Sequence, residues 1–96
     1  MNDTYDCPNL YEAALLWYLM VVLDGKSDLD LQHEITTSPI GNSGRVLFHF
    51  PGREVQRERS SWYRDRQPVE VIPTLLFDAL NRVRSLTRNH AHPGME

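Results

Sequence analysis

Residues 53–66 carry the side chains of this chain that are best suited to binding chemistry. Their sequence, REVQRERSSWYRDR, places five arginines around Trp62 and Tyr63. A guanidinium group forms forked hydrogen bonds with carboxylates and phosphates, and it stacks on aromatic rings. The composition therefore predicts either a surface that binds nucleic-acid phosphates and bases or a protein interface, where Trp, Tyr and Arg dominate the binding energy.

A third interpretation is a solvated helix, in which the acids of the segment neutralise its arginines and Trp62 packs on the core. These acids and the net charge of −3 weaken the nucleic-acid interpretation. The apolar stripes elsewhere in the chain are needed for the core, so we expect a partner to contact this segment. The predicted contact residues are Arg59, Trp62, Tyr63, Arg64 and Arg66.

No catalytic group is expected in this sequence. Cys7 precedes a proline and has no histidine near it, and Ser60 and Ser61 lack the G-x-S-x-G turn that exposes a catalytic serine. No glycine-rich loop follows a strand in the arrangement of a P-loop or a dinucleotide fingerprint. We therefore expect no enzyme activity and no cofactor.

The four histidines do not have the spacing of a metal site. His33 and His49 fall on predicted strands, where a histidine is usually a packed or surface residue. His90 and His92 have no third ligand beside them, and a zinc site needs three or four ligands. We expect no metal site.

Charge is divided unevenly along the chain. Residues 1–44 hold seven acids and one lysine, whereas residues 45–88 hold nine arginines and five acids. A GC-rich coding sequence would also favour arginine over lysine, and this explanation of the composition does not exclude use of the resulting basic patch.

The length of 96 residues predicts one domain, with residues 1–8 and 89–96 as tails. The single cysteine excludes an internal disulfide and favours a reducing compartment. The opening residues are acidic, unlike a secretory leader, and the longest apolar run, residues 13–23, is too short for a bilayer. These features predict a cytoplasmic protein that does not contact a membrane.

Residues 9–23 are predicted to form a helix that Asn9 caps and Gly25 ends. This helix is apolar on almost every side, which is typical of a buried helix. It either lies across a sheet under the C-terminal helix or buries its surplus apolar surface against a partner, for which a homodimer is the commonest form.

Residues 29–36 alternate between apolar and polar side chains and predict a half-buried strand. A turn over residues 37–44 and a return strand over residues 45–50 complete an antiparallel hairpin, with Val46, Phe48 and Phe50 facing inward. Residues 53–64 are predicted to form a short helix or an irregular arm. A last helix begins at Pro73 and packs on the hairpin or on the first helix through Leu76, Ala79, Leu80, Val83 and Leu86. The expected fold class is therefore α+β.

This order of elements over residues 10–88 resembles a family of short domains of unknown function encoded by phages, prophages and other mobile elements. The hairpin loop TTSPIGNS is longer than the family pattern, and Arg64–Asp65–Arg66 replaces a small Asn-Gly turn. The resemblance assigns no activity and implies an accessory protein of a mobile element. It rests on Ala13, Ala14, Leu15 and Leu16, on the strand RVLFHF, on Trp62, Tyr63 and Val69, and on residues 77–86.

Two functions are expected on these grounds. The first is a small non-enzymatic protein that binds a host protein with an acidic surface, as an inhibitor or counter-defence factor. The alternative is a nucleic-acid or nucleotide-binding module that uses residues 53–66. Phosphate binding weakens steeply with salt, which separates the two experimentally.

Overall fold

The computed structural model describes residues 3–91, and it describes the side chains of residues 3–87. Four helices and three strands occupy this range, which confirms the α+β class. The side chain of His90 and all of His92 lie outside the described residues. In chain order the elements are β1 (Thr4–Cys7), α1 (Leu10–Asp24), α2 (Asp28–Glu34), β2 (Thr36–Ile40), β3 (Arg45–Pro51), α3 (Arg53–Arg64) and α4 (Pro73–Ala91).

β3 is the central strand of an antiparallel sheet with the order β1-β3-β2. β1 lies in the segment predicted as an N-terminal tail, so that prediction was wrong. Tyr5 and Cys7 point towards the core and alternate with the exposed Thr4 and Asp6. Pairing with β3 stabilises the strand, but four residues are too few for an alternating pattern to be recognised in the sequence.

The strand predicted over residues 29–36 is also wrong, because α2 occupies most of this segment. The Ser27 hydroxyl caps the helix by accepting the Asp30 N–H at 3.1 Å. Acidic side chains in the first turn stabilise the helix further, because they interact with the positive end of its dipole. Leu31 and Ile35 lie four residues apart and are both buried, whereas Leu29 is 63% exposed. Since Leu31 and Ile35 fit a period of two as well as a helical turn, the alternating pattern was misleading.

The hairpin is present, but its first strand comes later in the chain than predicted. β2 pairs with β3 from Thr36 opposite His49 to Ile40 opposite Arg45, so only residues 41–44 form the turn. Pro39 suggested a turn, but a proline is tolerated in β2 because this strand lies at the edge of the sheet.

α1 has the predicted caps. The Asn9 side chain accepts the N–H groups of Tyr11 and Glu12, and Gly25 closes the helix in the left-handed region with φ 68°. α4 packs along α1 and covers much of it, as one of the two interpretations expected. A homodimer through α1 stays a prediction, and the apolar side chains of α1 left exposed are Tyr11, Val22 and Leu23.

The core lies between the sheet and the helices. Val46, Phe48 and Phe50 are buried, as the alternation of β3 predicted. α4 contributes the predicted stripe, of which Ala79 and Val83 are buried and the leucines are partly buried. The helix continues through residues 89–91, which were predicted as tail, because the first proline or glycine after Pro73 is Pro93.

Candidate functional site

α3 presents the predicted contact residues on a regular helix rather than an irregular arm. Gly52 precedes it with φ 77°, a backbone conformation that turns the chain out of β3 and that side-chain-bearing residues rarely adopt. One side of α3 is fixed in the core by Gln56 and Ser60, which are buried. The opposite side is therefore turned towards solvent.

A polar network holds the inner side of α3 in place. The Tyr5 hydroxyl donates to Glu12 Oε2 at 2.7 Å, and Ser60 Oγ lies 2.7 Å from the same hydroxyl and donates to it. This network joins β1, α1 and α3 beneath the surface. Burial is the main cause that raises the pKa of Tyr5, so its hydroxyl remains a donor at neutral pH.

Arg59 is tied to α1. Its Nη1 and Nη2 donate to the two carboxylate oxygens of Asp24 at 3.0 and 2.8 Å, and its side chain is only 11% exposed. The hydrogen bond from Arg59 is the main cause that lowers the pKa of Asp24. Arg59 therefore orients α3 against α1, and each of its terminal nitrogens donates one hydrogen bond within the chain.

Trp62 and Tyr63 have different surroundings. Trp62 is half-buried and packs against the core, and it lines a groove of about 340 Å³ together with Gln67, Pro68 and Val69. Tyr63 is 39% exposed on the adjacent part of the helix surface. An aromatic pair of this kind offers a rigid apolar wall and an accessible ring side by side.

The end of α3 is closed by a residue in an unusual conformation. Arg66 has φ 57°, in the left-handed region where glycine usually ends a helix. The Asp65 N–H donates to Ser61 O at 2.7 Å, and the Gln67 N–H donates to Trp62 O at 3.0 Å. These bonds fix the turn and hold Arg66 beside Tyr63, whose carbonyl accepts the Arg66 N–H at 3.3 Å.

Arg64 and Arg66 are exposed, and so are the acids of the segment, Glu54, Glu58 and Asp65. Among the residues whose side chains are described, no carboxylate lies within 4.0 Å of the guanidinium of Arg64 or Arg66. In a purely solvated helix the acids of the segment would neutralise its arginines. Within the described part of the chain, they do not neutralise Arg64 or Arg66 through direct ion pairs. We call Trp62, Tyr63, Arg64 and Arg66, with the groove at Pro68, the α3-end surface.

A second polar constellation, which the sequence analysis missed, lies on the outer side of the sheet. Ser38 Oγ lies 2.8 Å from His49 Nε2, and His49 Nδ1 lies 2.8 Å from Asp6 Oδ1. The three residues come from β2, β3 and β1, and Asp6 is directly opposite His49 in the strand register. We call this set the Ser38 relay.

The relay could be recognised in the sequence only if the three strands that carry it were assigned correctly. Ser38 fell within a predicted turn and Asp6 within a predicted tail. Only the recognition of TYDC as a strand that pairs with RVLFHF would have placed Asp6 beside His49. Cys7 is not part of the relay, since it is buried on the core side of β1 and its thiol donates to Asn9 O at 3.3 Å. Burial is the main cause that raises the pKa of this thiol to about 12.

Between residues 3 and 91, no helix is both long enough and apolar enough to span a membrane. Comparison with known proteins found no family model, no curated protein and no solved structure that matches this chain. The resemblance to mobile-element domains therefore stays a prediction.

Proposed function

We propose that this chain is a small non-enzymatic protein that binds an acidic surface of a host protein through the α3-end surface. The observation that carries the proposal is the exposure of Arg64 and Arg66 beside Tyr63 with no ion pair within the described part of the chain. Exposed arginine forks next to aromatic rings are the groups that supply most of the energy at protein interfaces.

The conformation of the turn supports the same proposal. Arg66 occupies a backbone position that costs a non-glycine residue about 1 kcal/mol or more. The closed turn fixes the backbone from which the Arg66 side chain projects, so little backbone freedom is lost when the surface binds. Arg59 stabilises the same arrangement from behind, because its ion pair with Asp24 fixes the orientation of α3.

A protein partner is favoured over nucleic acid by the charges of the segment. Glu54, Glu58 and Asp65 are exposed on the same helix and its turn, where they would repel a continuous line of phosphates. A protein surface presents acids at separate points and accommodates such a mixture. The role of inhibitor or counter-defence factor belongs to this proposal through the resemblance to mobile-element domains.

The test compares two double variants that change the charge equally. Arg64→Glu with Arg66→Glu alters the α3-end surface, whereas Arg45→Glu with Arg84→Glu alters exposed arginines on β3 and α4. Each protein is used to capture partners from a candidate host lysate, with and without nuclease. We expect a captured protein that survives nuclease and is lost only with the first variant.

Two results would contradict the proposal. Capture that disappears with nuclease and falls steeply with salt would assign the segment to nucleic acid. Capture that is unchanged by Arg64→Glu with Arg66→Glu would place the interface elsewhere.

Self-association through α1 is part of the same proposal and has its own test. Tyr11, Val22 and Leu23 are the exposed apolar side chains of α1 that a second copy would cover. Sedimentation over a wide range of protein concentration should show a dimer that Val22→Glu dissociates. A monomer at every concentration would contradict this part of the proposal.

A further inference from the structure

The Ser38 relay goes beyond the binding function, because it lies on the outer side of the sheet rather than at the α3-end surface. We propose that Ser38 is an activated nucleophile that accepts an acyl group from small activated esters or thioesters. The product is an acyl-serine on this protein, formed once for each chain.

Hydrogen-bonding capacity fixes the direction of the relay. An ionised Asp6 carboxylate only accepts hydrogen bonds, so His49 Nδ1 carries a proton and donates it across the 2.8 Å contact. In the neutral imidazole this leaves Nε2 as the acceptor for the Ser38 hydroxyl at 2.8 Å. With His49 neutral, the serine hydroxyl donates to a base that is oriented by a carboxylate, which is the arrangement that activates a serine.

The acyl transfer balances without any other reactant. Ser38 Oγ forms a bond to the carbonyl carbon while its proton passes to His49 Nε2. The bond from that carbon to the alkoxide or thiolate then breaks, and His49 returns the proton to the leaving group. No electron is gained or lost. Asp6 does not touch the donor and acts as a positioning residue that fixes the imidazole.

The strand register puts a cationic residue on the same face of the sheet as Ser38. Ser38 is opposite Leu47, so Arg45 lies on the same side of the sheet at the diagonal position. Arg45 is exposed, and a long side chain reaches across such a diagonal. From that position the guanidinium can stabilise the negative charge that develops on the carbonyl oxygen during attack.

The exposure of the relay indicates which donors it accepts. Ser38 is partly exposed, and the side chains of His49 and Asp6 beside it are 26% and 55% exposed, so a small donor can approach the serine from solvent. An exposed relay selects by chemical reactivity rather than by the shape of the acyl group. The proposal therefore concerns activated esters and thioesters rather than peptide bonds.

The test uses p-nitrophenyl acetate with the full chain, and it follows release of p-nitrophenolate and the mass of the protein. We expect a burst approaching one equivalent and an acetyl group on the peptide that contains Ser38. Ser38→Ala should abolish the burst, whereas Ser85→Ala, which removes an exposed hydroxyl on α4, should leave it unchanged.

Chemical rescue separates activation from a merely structural role. His49→Ala should slow the burst by about 100-fold or more, and added imidazole should restore part of the rate. Asp6→Asn should slow it at least about tenfold while the thermal unfolding transition is unchanged. Acetylation on another residue, no acetylation, or a rate that His49→Ala does not change would overturn the proposal.

Discussion

Arg59 of α3 holds both carboxylate oxygens of Asp24 at the end of α1, with donor–acceptor distances of 3.0 and 2.8 Å. This ion pair links the helix that carries the candidate surface to the helix at the centre of the core. It also directs the guanidinium of Arg59, an arginine predicted to contact a partner, towards α1.

The ion pair predicts a loss of stability in acid. The Arg59 hydrogen bond lowers the pKa of Asp24 below its ordinary value, so the pair stabilises the fold above that value. Its contribution is lost as the pH falls through the lower pKa of the folded state. A double-mutant cycle with Arg59→Ala and Asp24→Ala at pH 7 should give a coupling energy of about 1 kcal/mol. The same cycle at a pH below the folded pKa should give none, and equal coupling at both pH values would contradict the assignment.

The core position of Phe48 predicts a large effect of truncation. Phe48 is buried in β3 between the sheet and the helices, so Phe48→Ala should lower the free energy of unfolding by about 3–5 kcal/mol. Leu47→Ala on the outer side of the same strand is the matched control and should cost much less. Denaturant titration measures both, and similar losses would show that the facing of β3 is wrong.

The left-handed conformation of Arg66 predicts opposite effects of two substitutions. Arg66→Gly relieves a strained backbone and should leave the free energy of unfolding unchanged or raise it by up to about 1 kcal/mol. Arg66→Val places a β-branched residue in the same conformation and should lower it by about 1–2 kcal/mol. Urea unfolding compares the two. A Val variant as stable as the Gly variant would contradict the described turn.

Removal of the Tyr5 hydroxyl should lower the free energy of unfolding even when the aromatic ring is kept. Tyr5→Phe keeps the ring but removes the donor to Glu12 and the acceptor for Ser60, both of which are buried. Unpaired buried polar groups cost about 1–3 kcal/mol, so this loss is expected in the free energy of unfolding. Tyr5→Phe combined with Glu12→Leu and Ser60→Ala removes the unpaired groups and should recover part of it. No loss in the single variant would show that the network does not stabilise α3.

The parts of the fold that the sequence predicted are those with caps or long periodic stripes. α1 is bounded by Asn9 and Gly25, and α4 carries an apolar stripe over several turns from Leu76. α2 was missed because Leu31 and Ile35 satisfy a strand pattern as well as a helical one. The short helix forms because its cap at Ser27 and its burial against the core outweigh that alternation.

The two candidate sites also differ in how far the sequence could predict them. Residues 53–66 are contiguous, so composition alone drew attention to them, but composition could not show that Arg59 pairs with Asp24 across 35 residues. The Ser38 relay joins three strands, two of which were assigned incorrectly or not at all. A constellation that depends on strand register cannot be predicted before the register is known.

The measurement that tests the central claim most directly is the affinity of the captured host protein for the parent chain and for the two charge-matched double variants. It is made by calorimetry at moderate salt, with circular dichroism to verify each fold. Arg64→Glu with Arg66→Glu should weaken binding by at least about 100-fold, because it removes two charged contacts and adds repulsion. Arg45→Glu with Arg84→Glu should change it by less than about threefold. Equal affinity of the parent and the Arg64/Arg66 variant would contradict the claim that the α3-end surface binds the partner.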